Sequence, residues 1–338
     1  MGARPIGAYG FLRDITSMKI MKLSEDETSH YETIATNYGT IFNTVGWLGI
    51  FGDKVQIYGI YDKGNALIGG FCTFIESLYG FNVSHNPPST LAIGPVIKMD
   101  ATNPVTVASN RKKILTSMAE FMENLPCSVI SVNLNMDIAD TQPFIWKKFK
   151  VVPQYTYIIN LSQSADDIWK GMSNERRKNI NKGIKDGLVT QKIDDKRIIK
   201  SLLQKTFSIK RKALNRNYVD KILFDFSNPD NSFAFVTFRA DVAIAASFCL
   251  YDRNTAYYFF GGRDYETGHH GASSLAIWES IKHSKRLGLK QFDFEGSMIP
   301  EIERFFRGFG GDLKPYYRVN KAKWPLEVLL KLFRREHF

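Results

Sequence analysis

TAYYFFGGRDYETGHHGASSLAIWESIKHSKRLGLKQFDFEG, residues 255–296, is the stretch that decides the fold. Its first eight residues, TAYYFFGG, are rich in aromatic side chains and read as a strand. The loop RDYETGHHG (263–271) leads into ASSLAIWESIKHSKRLG (272–288), which reads as a helix, and LKQFDFEG (289–296) as a closing strand. Just upstream, FAFVTFR (233–239), the turn Ala240-Asp241 and VAIAASFCLYD (242–252) read as a β-hairpin. The segment from Asp166 to Asp220 before it reads as mostly helical.

The same order occurs earlier in the chain. VQIYGIY (55–61), the turn Asp62-Lys63-Gly64-Asn65 and ALIGGFCTFIE (66–76) form a second hairpin pattern. STLAIGPVI (89–97) reads as a strand. NRKKILTSMAEFMENLP (110–126) reads as a helix with Ile114, Met118 and Phe121/Met122 on one face, ended before Pro126. SVISVNLNM (128–136) closes the unit as a buried strand. Phe71-Cys72 in one hairpin corresponds to Phe248-Cys249 in the other, as expected of an internal duplication. With 338 residues the chain has the length of two domains. The expected division is a flexible leader 1–20, a first domain 21–152, a second domain 153–320, and a basic amphipathic helix 321–338.

Net charge is +11, and between Lys170 and Asp220 fifteen Lys/Arg face five Asp/Glu, so +10 lies in that window. Such concentration points to a polyanionic partner: phosphate, nucleic acid or an anionic membrane. No apolar run reaches the roughly 18–20 residues that cross a bilayer. Cys72, Cys127 and Cys249 are widely spaced, with neither metal nor disulfide spacing, and fit a reducing cytoplasm. The C-terminal KAKWPLEVLLKLFRREHF (321–338) either docks on the protein or lies on a membrane surface.

Four groups of residues carry candidate chemistry. In SNERRKNINKGIKDG (173–187), Lys178, Lys182 and Lys185 share a helical stripe, and Ile180 and Ile184 form the opposite, inward stripe. Arg176 and Arg177 border the packed face, where a guanidinium can clasp phosphate or carboxylate. Lys178, Tyr258 and Tyr316 complete the substrate-binding candidates. Gly183 predicts close approach by a backbone or ligand, and Gly187 a C-cap. Gly271, Ala272, Ser273 and Ser274 open a helix, either as an anion site at its positive end or as an ordinary cap. His269 and His270 precede them with no ligand spacing for a metal. Asp293 and Glu295 alternate with Phe292 and Phe294, so both carboxylates face one side of a strand. They are either a base or amine-binding pair or acceptors for loop N–H groups. Arg307 follows within ERFFRGFGG (303–311).

Three stretches, NYGTIFNTVGWL (37–48), NERRKNINKGIKDGL (174–188) and GASSLAIWESIKHSKRLGLKQFDFEGS with IERFFRGFGG (271–297 and 302–311), resemble in this order the FemAB-like branch of the acyl-CoA N-acyltransferase (GNAT) superfamily. The resemblance runs from about residue 30 to residue 320. It implies an α/β (α+β) protein of two tandem GNAT-like domains, each a mixed central sheet flanked by helices. It also implies transfer of an acyl or aminoacyl group from acyl-CoA or aminoacyl-tRNA to a peptidoglycan or other surface-polysaccharide precursor. That precursor would be nucleotide- or lipid-linked, with no tightly bound cofactor. The family's F-K-x-x-F-G string stands here as Phe305-Phe306-Arg307-Gly308-Phe309-Gly310, with Phe306 in place of the lysine and Arg307 the neighbouring cation. The Q/R-x-x-G-x-G/A pyrophosphate loop of simple acetyltransferases is not intact in RDYETGHHGAS, and no heptad arm is present. The expected protein is therefore a cytoplasmic transferase, free or peripheral at the inner membrane face. The alternative is a non-catalytic nucleic-acid-binding module using the basic 170–220 region.

Overall fold

A computed structural model describes residues 18–209, 215–296, 298–335 and 338. The strands are β1 (Lys19–Lys22), β2 (Val55–Tyr61), β3 (Leu67–Leu78), β4 (Phe81–His85), β5 (Val96–Ile97), β6 (Val129–Asn133), β7 (Lys150–Asn160), β8 (Val189–Lys192), β9 (Ser232–Arg239), β10 (Val242–Tyr251), β11 (Thr255–Arg263), β12 (Gln291–Asp293) and β13 (Asp312–Ala322). The helices are α1 (Thr28–Tyr38), α2 (Val45–Gly49), α3 (Pro104–Glu123), α4 (Gln142–Trp146), α5 (Ala165–Gly171), α6 (Asn174–Lys185), α7 (Lys196–Ile209), α8 (Arg216–Asp220), α9 (Ala272–Arg286), α10 (Pro300–Arg307) and α11 (Leu326–Phe333). A π-helical turn, Lys221–Phe226, continues α8.

All strands join one mixed sheet in the order β1-β2-β3-β4-β6-β13-β7-β12-β11-β10-β9-β8, with β5 on β3. The order reads alike from both ends. The hairpin β2/β3 matches β9/β10, and the parallel pair β4/β6 matches β11/β12. Phe71-Cys72 and Phe248-Cys249 occupy β3 and β10, and all four side chains are buried. The halves exchange their closing strands. Strand β7, which follows β6 in the chain, pairs with β12, and β13, which follows β12, pairs with β6. β7 and β13 pair with each other over Lys150–Ile158 at the centre.

The local chemistry explains most boundaries. Asp62 Oδ1 accepts the N–H groups of Gly64 and Ala66 in the first hairpin turn, and Ala240-Asp241 adopt positive φ in the second. The latter is the turn hand that matches strand twist. α3 begins six residues before the expected Asn110, because Asn103 Oδ1 accepts from Val105 and Thr106 and Pro104 suits the first helical position. The expected strand 89–97 shrinks to Val96–Ile97: Gly94 sits at φ 115° and Pro95 lacks an N–H for the ladder. β4 and β8 are short strands that the sequence pattern did not single out. Lys19 and Ile20, counted with the leader, begin β1; residues 1–17 lie outside the described residues. Lys321 and Ala322 finish β13 rather than starting the last helix.

Two cores lie on opposite faces of the second half. Ala234 and Val236 in β9 join Ile199, Leu202 and Leu203 of α7 in a core that continues into the first half. Phe233 and Phe235 join Ile180 of α6 and Leu275 and Ile277 of α9 in the other. The period-two alternation of a strand therefore places α7 on one face and α6 with α9 on the other. Among the described residues no helix is long and apolar enough to cross a membrane.

Candidate functional site

Strand β12 is only three residues long and is paired on both sides. Gln291, Phe292 and Asp293 pair with Thr255, Ala256 and Tyr257 of β11, and with Asn160, Ile159 and Ile158 of β7. Beyond Asp293 the chain leaves β11, while β11 runs on to Arg263. Phe294 N donates to Tyr157 O, and Glu295 and Gly296 both take left-handed φ values, 60° and 71°. A Cβ on Gly296 would stand 2.6 Å from Tyr155 O, so glycine serves both the turn and the close passage over β7.

This turn folds Glu295 back onto Asp293. Asp293 Oδ1 accepts Thr156 Oγ1–H at 2.5 Å and Glu295 N–H at 2.9 Å. Asp293 Oδ2 and Glu295 Oε1 are shielded from solvent, and neither has a hydrogen-bond partner among the described residues. No cation pairs with either carboxyl there. Burial pushes the Asp293 carboxyl up to about 6, against the pull of its two hydrogen bonds. Burial and the adjacent Asp293 charge hold Glu295 well above the usual carboxylate range. Tyr316, buried in β13, is pushed up to about 12, first by burial and then by the Glu295 and Asp293 charges. Tyr257 is raised by burial and by Asp252, whose Oδ2 its hydroxyl meets at 2.7 Å, with further contributions from Asp293 and Glu295. Sequence reasoning did not single out Thr156 or Tyr257. The polar alternation Gln154, Thr156 in the otherwise apolar β7 was the available signal.

The other candidates collect on the opposite face. Phe292 and Phe294 alternate with Asp293, and the Phe294 ring packs with Tyr258 (6.3 Å), Phe306 (5.0 Å) and Phe309 (5.3 Å). Arg176, on α6, is buried there. Its Nη1 donates to Ser274 Oγ at 2.7 Å and its Nη2 to Phe305 O at 3.2 Å, and its guanidinium lies 4.1 Å from the Phe305 ring centre. A Cβ on Gly308 would come within 3.3 Å of Arg176 Nε, the guanidinium nitrogen without a partner among the described residues. Burial lowers the arginine's pKa, and no carboxylate forms an ion pair with it among the described residues. Arg176 thus lies within the packed face instead of bordering it.

The inward line of α6 is Arg176, Ile180 and Gly183; Ile184 is exposed, contrary to the expected isoleucine stripe. The cause is α9, whose start crosses α6 at Gly183. A Cβ on Gly271 would meet Asn179 O at 2.2 Å and the Gly183 Cα at 3.2 Å. Gly271, Ala272 and Ser274 are consequently buried, and Ser273 alone of the four stays half-exposed. His269 caps this end: its Nδ1 accepts Gly271 N–H, and its Nε2 meets Asp186 Oδ2 at 2.9 Å. Gly271→Ala is expected to destabilise by about 2 kcal/mol through overpacking against backbone, visible as a lowered melting temperature.

Arg177 bonds Asn174 Oδ1, Lys178 is exposed, and Arg307 is exposed with its Nε on Glu303 Oε1 at 2.9 Å. That carboxylate also accepts the Tyr157 hydroxyl at 2.6 Å. Tyr157 adjoins Thr156 in β7 and so points to the other face, which separates Arg307 from the acid pair by the sheet. The basic window does not form one patch either. Lys182, Arg197, Lys200 and Lys205 pair with Asp186, Asp195, Asp220 and Asp264, and α6 and α7 lie on opposite faces. Lys210, Arg211 and Lys212 are outside the described residues. A groove of about 600 Å3, lined in part by Glu32, Ile41, Asp230, Asp252 and Arg253, opens between the halves where β11 begins. It includes neither Asp293 nor Glu295.

The sequence of residues 189–307 matches the family described as an acetyltransferase (GNAT) domain. Residues 189–307 form a GNAT acyltransferase domain. The GNAT domain is built from β8 to β12 with α7, α8, α9 and α10. Beyond that domain, the whole chain is similar in fold to FemX at 10% identity, covering 93% of this chain and 99% of that one with a TM-score of 0.67. It is similar also to L-PGS from Bacillus licheniformis (10% identity, 96% and 99% covered, TM-score 0.56). A tandem GNAT protein from the clavulanic acid biosynthesis pathway gives 10% identity, 90% and 98% covered, and a TM-score of 0.51. These likenesses bear out the FemAB-like GNAT architecture expected from the sequence. No curated protein matches the chain.

Proposed function

We propose that the protein transfers an acyl or aminoacyl group, from acyl-CoA or aminoacyl-tRNA, to an amine of a nucleotide- or lipid-linked cell-wall or surface-polysaccharide precursor. The observation that carries this reading is the Asp293–Glu295 pair, in which Asp293 is buried and Glu295 half-buried. Among the described residues, Asp293 Oδ2 and Glu295 Oε1 lack a hydrogen-bond partner and neither carboxyl meets a counter-cation. An amine acceptor reaches the site as an ammonium, and such a group complements two carboxyls that lack a cation. Asp293, ionised first, accepts the ammonium proton on Oδ2; Glu295, still protonated, orients the nitrogen. The neutral amine attacks the donor carbonyl, a C–N bond forms, and the C–S or C–O bond to the donor breaks. The departing thiolate or alkoxide takes up the amine proton, and no covalent enzyme intermediate is required.

Tyr316 stands beside the acids to position the acceptor. The anionic part of the donor is taken on the other face, by the positive end of α9 at Ser273, by the half-exposed Arg177 and by the exposed Lys178 and Arg307. β11 beyond Tyr257 has no β12 partner, which leaves an edge along which a donor arm can reach from one face to the other. The FemX and L-PGS likenesses support an aminoacyl donor and a lipid- or wall-precursor acceptor by analogy of fold alone.

Purified protein incubated with labelled acyl-CoA or aminoacyl-tRNA, and with lipid-linked and nucleotide-linked amine precursors, tests the reading by mass spectrometry of the product. Transfer from neither donor to any amine would overturn it. With tRNA as donor, log KM should rise steeply with log salt, because several phosphates are contacted; with acyl-CoA the dependence is shallow. Glu295→Gln is expected to lower kcat by about 10²-fold or more, since the pair can no longer share a proton with the acceptor.

A further inference from the structure

One end of the sheet carries large apolar side chains that project into water. Val83 pairs with Val129, and Val129 with Ala322, so the start of β4 and the end of β13 lie two strands apart at the same end. Ser128 ties them directly, donating from N to Asn82 O and accepting Lys323 N–H. On the first of these elements the β3–β4 turn holds Tyr79, 100% exposed at φ 51°, between Leu78 and Phe81, which are also exposed. A tip at positive φ favours Gly, Asn or Asp, so an outward tyrosine there is not explained by the turn. On the second, Trp324 is 81% exposed and leads into α11. Leu326 and Leu330 turn toward the body, and Val328, Leu329, Leu332 and Phe333 (78% exposed) form one outward stripe. No residue of α11 is fully buried: the helix rests on the body through the half-buried Leu326 and Leu330 and leaves its other apolar side chains in water.

The charge around this rim is positive. Residues 321–338 hold five Lys/Arg and two Asp/Glu. Nearby Glu120, Glu123 and Glu327 are already paired with Lys147, Lys321 and Lys331. Lys323, and Lys148 and Lys150 at the start of β7, are exposed without a carboxylate partner among the described residues. Lys150 pairs in register with Asn320, which brings the start of β7 to this same end.

We propose that this rim, formed by the β3–β4 turn, Trp324 and the outward stripe of α11, seats the protein on the surface of an anionic phospholipid bilayer. Aromatic and aliphatic side chains enter the headgroup boundary, and the flanking lysines and arginines meet the anionic lipids. A soft interface accommodates separate projections from a turn tip and a helix, where a folded partner would need a matching relief. A second copy of the chain is disfavoured, because two such rims would bring like charges together on a chain of net charge +11. The proposal does not rest on the transferase reading. Asp293→Asn should bind vesicles as its parent does, whatever its effect on transfer.

Flotation of the full chain with vesicles of phosphatidylcholine, and of phosphatidylcholine mixed with phosphatidylglycerol, is the test. Partition onto the mixed vesicles is expected to exceed that onto the neutral ones at least tenfold. The double variant Leu332→Glu/Phe333→Glu, and separately Tyr79→Ser, should each lose most of that partition. All three side chains are exposed, so melting temperatures should stay unchanged. Lys178→Glu, on another surface, should bind normally. Equal partition of parent and rim variants would overturn the proposal. So would a concentration-dependent dimer in solution that the same variants abolish, because the rim would then belong to a second copy.

Discussion

Asp293→Asn is expected to lower kcat by at least about 10²-fold and, at pH 8, to raise the melting temperature. Both effects come from one source. Asp293 is held at about 6 against an ordinary 3.8, because its carboxylate is buried. A raised carboxyl pKa favours the folded state only while the group is protonated. That stability is fully present below about pH 4 and is lost as pH climbs through about 6. Across roughly two pKa units the loss is about 3 kcal/mol at pH 8. Asparagine carries no charge there, and its Oδ1 still accepts Thr156 and Glu295 N–H. In a chain of this size the gain amounts to roughly 4 °C at pH 8, and to little at pH 4. Differential scanning calorimetry at both pH values reads the stability. The pH profile of kcat/KM reads the function: the parent should show an acid limb near 6 that the variant lacks. A variant no more stable at pH 8 than its parent would remove the argument from burial.

Arg176→Ala is expected to destabilise by about 3 kcal/mol while leaving the donor KM nearly unchanged. The guanidinium joins α6 to Ser274 on α9 and to the Phe305 carbonyl on α10, and it lies against the Phe305 and Phe309 rings. Two charge-assisted hydrogen bonds and a desolvated stacking contact together outweigh the relief of unburying one cation. Ser274 Oγ and the Phe305 carbonyl would also lose their donor in a dry setting. Arg176→Lys should recover only part of the loss, because an ammonium cannot supply two parallel donors and a flat face. The opposite pattern, an unchanged melting temperature with a tenfold higher donor KM, would make Arg176 the anion clasp read from the helix pattern.

The two hairpins were legible because period-two alternation and turn chemistry are local, and the closing helix-and-strand units for the same reason. Asp293 and Glu295 were placed on one side of their strand by alternation alone. Their significance depends on Thr156, 137 residues away in sequence, and on the lack of a paired cation among the described residues, neither of which is local. Arg176 was misplaced because a helical wheel shows which residues share a stripe and not what crosses it. The crossing of α9 at Gly183 shifts the buried line to Arg176, Ile180 and Gly183 and leaves Ile184 outside. The separation of the basic window onto two faces was hidden likewise, since it depends on which side of the sheet each helix packs.

The exchange of closing strands forbids pruning. A polypeptide cut after Asn160 would hold β7 without β12 to receive it and β6 without β13 beside it. The complementary piece would carry the reverse vacancies. Neither fragment closes its own sheet, so each presents an open edge that only the other fills. Expressed apart, the fragments should be insoluble; expressed together, they should reassemble as a two-chain complex.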